Sequence, residues 1–201
     1  DVGGSFGQRS PFYPEHGALM IAAKKLGRPI KWVSTRSEGF LADTHGRGIV
    51  IQGELALDAN ARFIAARFDF LGDMGAYLAG VYQIPALYGR FRLGLTTTTP
   101  IAPYRGAGRP DMAYIIERLV DKAAQELGID PVELRRRNFI PPEAFPYKLM
   151  TGSTYDHCNF QAVLDHALKL SDWKGFDARR ALSQAVGKLR GIGISTVIEN
   201  T

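Results

Sequence analysis

The 201-residue sequence holds one cysteine, Cys158, and four histidines. A lone cysteine cannot close an internal disulfide, so no disulfide framework staples this chain. Metal-ligand spacings are also missing: there is no CxxC, no HExxH and no histidine pair at ligand distance. Neither the P-loop nor the GxGxxG dinucleotide fingerprint occurs. No apolar run approaches the roughly 18 residues that a membrane helix needs. No signal-peptide pattern is present, and a reducing, cytoplasmic setting is the expectation. Neither sign of charge dominates, with 25 Lys+Arg against 20 Asp+Glu and a net charge of +5. Such mild basicity suits an anionic cofactor or substrate as well as nucleic acid.

What is present is enough apolar material, 45% of residues, to bury a core. The chain opens on Asp1-Val2-Gly3-Gly4 without an initiating methionine. Residues 191–201 read as a strand that lacks its following turn. A piece of a longer polypeptide is therefore expected, with residues 1–201 forming part of one domain.

Periodicity predicts the elements. Pro14 and Gly27 bracket a helix with Leu19, Ala22, Ala23 and Leu26 on one stripe. Ile30–Ser34 reads as a short strand. Residues 48–57 and 62–71 read as a hairpin around Asp58-Ala-Asn-Ala61, and Arg90–Thr99 as a further strand. Met112, Ile115, Ile116, Leu119, Val120, Ala123 and Leu127 mark the buried face of the clearest helix, stopped by Gly128. Asp130-Pro131 starts a shorter helix through residue 138, in which Leu134–Asn138 ("LRRRN") reads as a solvated face. Two more helices are expected, from Asn159 to about Ser171 and from Phe176 to about Leu189. Helices mixed with hairpins, without strict βαβ alternation, predict an α+β fold with a mixed or antiparallel sheet.

Two glycine-rich stretches could carry chemistry. Arg105-Gly-Ala-Gly-Arg-Pro110 places two permanent cations and unpartnered N–H groups at a helix start. It reads either as a site for an anion or oxygen-rich metal centre, or as an irregular entry loop with solvated arginines. Gly3-Gly-Ser-Phe-Gly7 reads either as a plain turn or as a second cluster of exposed N–H groups. Of the histidines, His45 in a loop is the one of interest; His16 and His166 fall in predicted helices as surface or packing residues. A nucleic-acid surface would need several basic patches with stacking aromatics, and the sequence shows one.

Taken together, "GGSFGQR" (3–9), "KWVSTRSEGFLADTHGRG" (31–48), "YRGAGRPDMAYIIERLVDKAAQELGIDPVELRRRNFIPPEAFPY" (104–147) and "GSTYDHCNF" (152–160) have a specific likeness. In order and spacing they resemble the molybdenum-binding subunit of the molybdenum hydroxylases. That family includes xanthine dehydrogenase, aldehyde oxidase and the aerobic carbon monoxide dehydrogenase large chain. The resemblance implies part of a molybdopterin-binding domain, with the cytosine dinucleotide form of the cofactor. It implies FeS and FAD partners that carry electrons away, an oligomeric parent, and no role for nucleic acid or membrane.

The resemblance also assigns residues. Gly4, Phe6, Gly7, Arg105, Gly106 and Ala107 would face the cofactor, with Phe6 and Arg105 at the molybdenum and Arg105 catalytic. Ser10 and Ala107 fall at substrate positions. Gly106 stands where the copper-containing carbon monoxide dehydrogenases have a cysteine. Ala107 and Ser10 stand where xanthine-type enzymes have a phenylalanine and a glutamate. An aldehyde or N-heterocycle is therefore the implied substrate, hydroxylated with oxygen from water. The family's catalytic glutamate lies beyond residue 201, so neither Glu38 nor Glu199 takes that role. The alternative is a non-catalytic anion- or RNA-binding module built on the basic loops.

Overall fold

A computed structural model describes residues 4–72 and 80–198. Pro14 at the first position and Gly27 in the left-handed region (φ 61°) delimit helix α1, Pro14–Leu26. Its stripe is only partly covered: Leu19, Ala22 and Ala23 are half-buried and Leu26 is exposed. The expected strand at Ile30–Ser34 does not form, because no strand lies beside it among the described residues. It leads instead into an unpredicted helix α2, Arg36–Ala42. Thr35 Oγ1 accepts from the Glu38 N–H, and the Glu38 carboxylate accepts from the Thr35 N–H. This reciprocal capping box was legible in Thr35-Arg-Ser-Glu38.

The hairpin forms as expected from β1, Ile49–Leu57, and β2, Phe63–Gly72. Asp58 Oδ1 accepts from the Asn60 and Arg62 N–H groups and shapes the turn. Strand β3, Ala86–Arg92, starts earlier than Arg90 and pairs parallel to β2 from Ala65↔Ala86 to Leu71↔Arg92. It stops there because β2 ends at Gly72, and residues 93–99 belong to no strand. The sheet, in order β1-β2-β3, is therefore mixed.

Its inner face, Phe63, Ala66, Phe68 and Phe70, packs against helix α3, Arg109–Leu127. Each such buried aromatic contributes about 1.5–3 kcal/mol. Met112, Ile115, Ile116, Val120 and Ala123 are buried as the periodicity predicts, whereas Leu119 is half-buried and Leu127 exposed. Helix α4, Pro131–Asn138, is capped by Asp130, whose carboxylate accepts from the Val132 and Glu133 N–H groups. Beyond it, Tyr147–Lys148 (β4) pairs with Thr154–Tyr155 (β5), followed by helices α5, Phe160–Leu170, and α6, Phe176–Ala185. The last helix ends before Leu189 because Gly187 turns left-handed (φ 71°), its N–H closing on the Gln184 carbonyl.

The reading of "LRRRN" as a solvated face is corrected. Arg135 is fully buried (0% exposed), and its guanidinium reaches the buried Glu117 carboxylate by two bonds, 2.9 and 2.8 Å. The same group donates to Asp121 and to the Ile194 carbonyl, while Thr196 and Tyr82 hydroxyls meet Glu117 Oε1. A buried arginine is tolerated only when its donors are met, and here a carboxylate waits on α3. Residues 191–198 thus form no strand; they lie on the core as a strap held by side chains. Asn138 is the other buried polar anchor. It accepts from the Phe63 N–H and donates to the Ala61 and Leu134 carbonyls, tying the hairpin to α4.

Two outcomes are expected. Arg135→Met should destabilise the fold by about 3–5 kcal/mol in urea titration, since it strands a buried carboxylate. Burial first, and then the Glu117 carboxylate, push the Tyr82 hydroxyl well above its ordinary range. A raised folded-state pKa gives stability that is complete below about pH 10 and is lost as pH rises further. Tyr82→Phe should therefore cost about 1–3 kcal/mol at pH 7. Its gap from the native chain should narrow in urea titrations near pH 11.

Candidate functional site

Three loops, distant in the chain, meet on the side of the molecule where α1, β1 and α3 begin. The first spans residues 4–10. Phe6 (φ 50°) and Gly7 (φ 92°) turn left-handed, and the Gln8 N–H closes on the Ser5 carbonyl at 3.0 Å. A Cβ at Gly7 would stand 2.2 Å from the Pro103 carbonyl oxygen, so glycine is required by the approach of the third loop.

That third loop, residues 101–108, carries three successive left-handed residues, Gly106 (95°), Ala107 (45°) and Gly108 (92°). Alanine at positive φ stores roughly 1–3 kcal/mol of strain, a feature concentrated at functional sites. Gly108 caps α3 without a side chain, so no hydroxyl or carboxylate covers the first-turn N–H groups. The Arg105 N–H donates to the Phe6 carbonyl at 2.9 Å, joining the first and third loops directly.

The second loop, residues 43–48, fastens both. The carbonyl of buried Thr44 accepts from Gln8 Nε2 at 3.1 Å, and its N–H donates to the Tyr13 hydroxyl, which donates to the Gln8 carbonyl. His45 bridges Ile101 as a strand would: its N–H meets the Pro100 carbonyl and its carbonyl the Ala102 N–H. Its Nδ1 lies 3.1 Å from Thr99 Oγ1, so the histidine's work here is structural. Arg47, itself left-handed (φ 66°), donates to the Arg105 carbonyl at 2.5 Å.

The exposed chemistry is that of donors. Neither loop 4–10 nor loop 101–108 contains an acidic residue. Among the described residues, no carboxylate pairs with the exposed Arg105 guanidinium, and the Gly7 and Gly106 N–H groups have no acceptor. Phe6 is 53% exposed beside them. Among the described residues, no group of three or more His, Cys, Asp or Glu side chains could ligate a metal ion. Such a surface suits an anionic, oxygen-rich group and not a bare cation.

The structure thus brings Phe6, Gly7, Arg105, Gly106 and Ala107 to one place, with exposed Gly4 leading in. Ser10 is exposed at the end of the first turn, its N–H on the Gly7 carbonyl, and no hydrogen bond joins it to Ala107. Tyr13, Thr44, Arg47 and Pro103 are parts of the site that the sequence does not single out. Only Arg47, a bulky residue between two glycines, offers a local cue. Gly3 and Glu199 lie outside the described residues.

Residues 1–139 match the molybdopterin cofactor-binding domain family. The chain is 31% identical, over its whole length, to the nicotine 6-hydroxylase large subunit of Paenarthrobacter nicotinovorans. It is 32% identical, over 99% of its length, to the carbon monoxide dehydrogenase large chain of Hydrogenophaga pseudoflava. In each case it covers 27% of the relative. The crystal structure of quinoline 2-oxidoreductase from Pseudomonas putida 86 superposes with a TM-score of 0.84 and 32% identity, over 93% of this chain and 26% of that one. The chain therefore spans about a quarter of the length of the relatives it matches. With its two donor loops joined and open to an anionic group, the chain belongs to the molybdopterin cofactor-binding domain family.

Proposed function

We propose that this chain is the portion of a molybdenum hydroxylase that presents its first and third loops to molybdopterin-bound molybdenum. The parent enzyme oxidises an aldehyde or N-heteroaromatic carbon with water as the oxygen source. One observation carries the reading: the Arg105 N–H bonds the Phe6 carbonyl while the Arg105 side chain stays exposed and unpaired with any described carboxylate. The backbone is fixed and the charge is available, which is the arrangement of a preorganised electrostatic group.

When bound, the cofactor supplies the two-electron oxidation. The chain's own residues hold and polarise. The Gly7 and Gly106 N–H groups would offer hydrogen bonds to oxygen atoms of the cofactor, and the exposed Phe6 ring would contribute apolar surface beside it. Arg105 stabilises negative charge that develops at the reacting centre, and its planar fork also orients an oxygen-bearing substrate. Ser10 and Ala107, both small, leave room for the substrate. The glutamate that acts as base would come from outside these residues.

Gly106 gives no thiol for copper, which speaks against carbon monoxide as substrate. The names of the nicotine and quinoline enzymes support a ring nitrogen neighbour as the substrate class. Another relative is named as the gamma subunit of a dehydrogenase complex. That name supports partner subunits for this parent. By the family likeness these would carry FeS clusters and FAD, the cofactor would be the cytosine dinucleotide form, and the assembly would be cytoplasmic. Among the described residues no helix is long and apolar enough to cross a membrane. A non-catalytic anion- or RNA-binding role for the same basic loops lacks comparable support, because the relatives are named as hydroxylases and dehydrogenases.

In the parent enzyme, Arg105→Gln should lower kcat on a quinoline- or aldehyde-type substrate by about 10²–10³ while molybdenum content by mass spectrometry stays near that of the native protein. Equal turnover in the two would remove Arg105 from catalysis. Gly7→Ala should separate the loops, at a cost of about 1–3 kcal/mol, and reduce bound molybdenum severalfold. Full retention of metal would show that the loop contact is dispensable.

A further inference from the structure

We infer that Arg47 is a positioning residue for Arg105, setting the direction in which the catalytic guanidinium points. This inference rests on the reading of Arg105 given above. Arg47 grips the Tyr104–Arg105 segment at two points. Its Nη2 donates to the Arg105 carbonyl at 2.5 Å, and its guanidinium carbon lies 4.8 Å from the centroid of the Tyr104 ring. The planar guanidinium can do both at once, donating from its edge and stacking by its face.

With Arg47 in place, every backbone polar group of Arg105 is held by another loop. Its N–H is bound to Phe6 in the first loop and its carbonyl to Arg47 in the second. The neighbouring Tyr104 carbonyl accepts from the Ala107 N–H at 2.8 Å, closing the turn beneath. Only the side chain of Arg105 is left to meet a ligand. Arg47 itself sits at φ 66°, a left-handed conformation that a long side chain adopts at a cost. The second loop keeps that conformation because Thr44 and His45 are tied on either flank of the site. The strain in the second loop is thus coupled to the placement of a charge in the third. In this role Arg47 acts through the backbone of its neighbour.

The test uses the parent enzyme with Arg47→Ala and Arg47→Gln, read first by amide hydrogen exchange, which needs no bound metal. Exchange at residues 104–109 should quicken about fivefold or more, the factor expected from one lost hydrogen bond, while the β1–β2 hairpin keeps its native rates. In the metal-loaded enzyme, kcat should fall by about 10–100-fold with KM changed less than threefold, and the Mo(V) electron paramagnetic resonance signal should shift. Arg47→Lys, which keeps a cation over the ring, should fall between native and alanine. Native exchange rates at 104–109 in both Arg47→Ala and Arg47→Gln would overturn the inference. If Arg47→Ala does not fold, Arg47→Gln decides alone. A parent enzyme that binds no molybdenum would overturn the functional reading instead, and the exchange rates would still decide whether Arg47 fixes the loop.

Discussion

The ion pair between Glu117 and Arg135 is the constraint on which the rest of this structure depends. Glu117 lies midway along α3, Arg135 in α4, and the pair also collects Tyr82, Asp121, Thr196 and the Ile194 carbonyl. Desolvating two charges offsets most of their attraction, so the pair is a weak source of net stability. Its effect is on register. Any rotation or slide of α3 against α4 would leave a full charge buried without its partner. Burial is the largest single influence and opposes the charge on Arg135, yet Glu117, Tyr82 and Asp121 together outweigh it and the guanidinium is held charged. Because α3 is fixed in rotation, the loop at its N-terminus is fixed as well, and that loop carries Arg105.

From this anchor outward, regular structure gives way to loops that stabilise one another. None of the three site loops has a ladder of its own, and each leans on the other two through backbone groups. The first gives its Phe6 carbonyl to the third, the second takes the Gln8 side chain of the first, and His45 pairs with Ile101. Left-handed residues in all three mark where the chain departs from relaxed geometry: Phe6, Arg47 and Ala107, none of them glycine. Such departures persist only where neighbours over-determine them. The result is a donor-lined surface whose side chains are few and whose backbone is rigid, suited to a large anionic cofactor that brings its own metal.

Much of this was legible in the sequence, and the omissions have physical causes. The hairpin, α3 and α4 follow from periodicity and caps, because apolar spacing and the Asp130 cap act locally. The site loops were readable from glycine spacing together with the family likeness, since Gly7 and Gly106 answer to backbone constraints that leave a signature. Arg135 was misread because helical periodicity sees a polar residue and cannot see a carboxylate on another helix. The strand expected at Ile30–Ser34, and that expected over 191–201 in its described residues 191–198, failed for a related reason: a strand needs a neighbour, and propensity does not supply one. The cap at Thr35 was present in the sequence, and its capping-box pattern outweighs the strand-like residues before it. Arg47 between two glycines hints at an unusual backbone, but its partner was not legible, because its role exists only where three distant loops touch.

If the first and third loops form one cofactor-facing surface, bound cofactor shields Phe6, and radical footprinting reads that shielding. The parent protein would be oxidised briefly by hydroxyl radicals in its cofactor-loaded and cofactor-free forms, and Phe6 compared with Tyr114, an exposed residue on α3. Cofactor should protect Phe6 severalfold and leave Tyr114 unchanged. Equal oxidation of Phe6 in the two forms would contradict it.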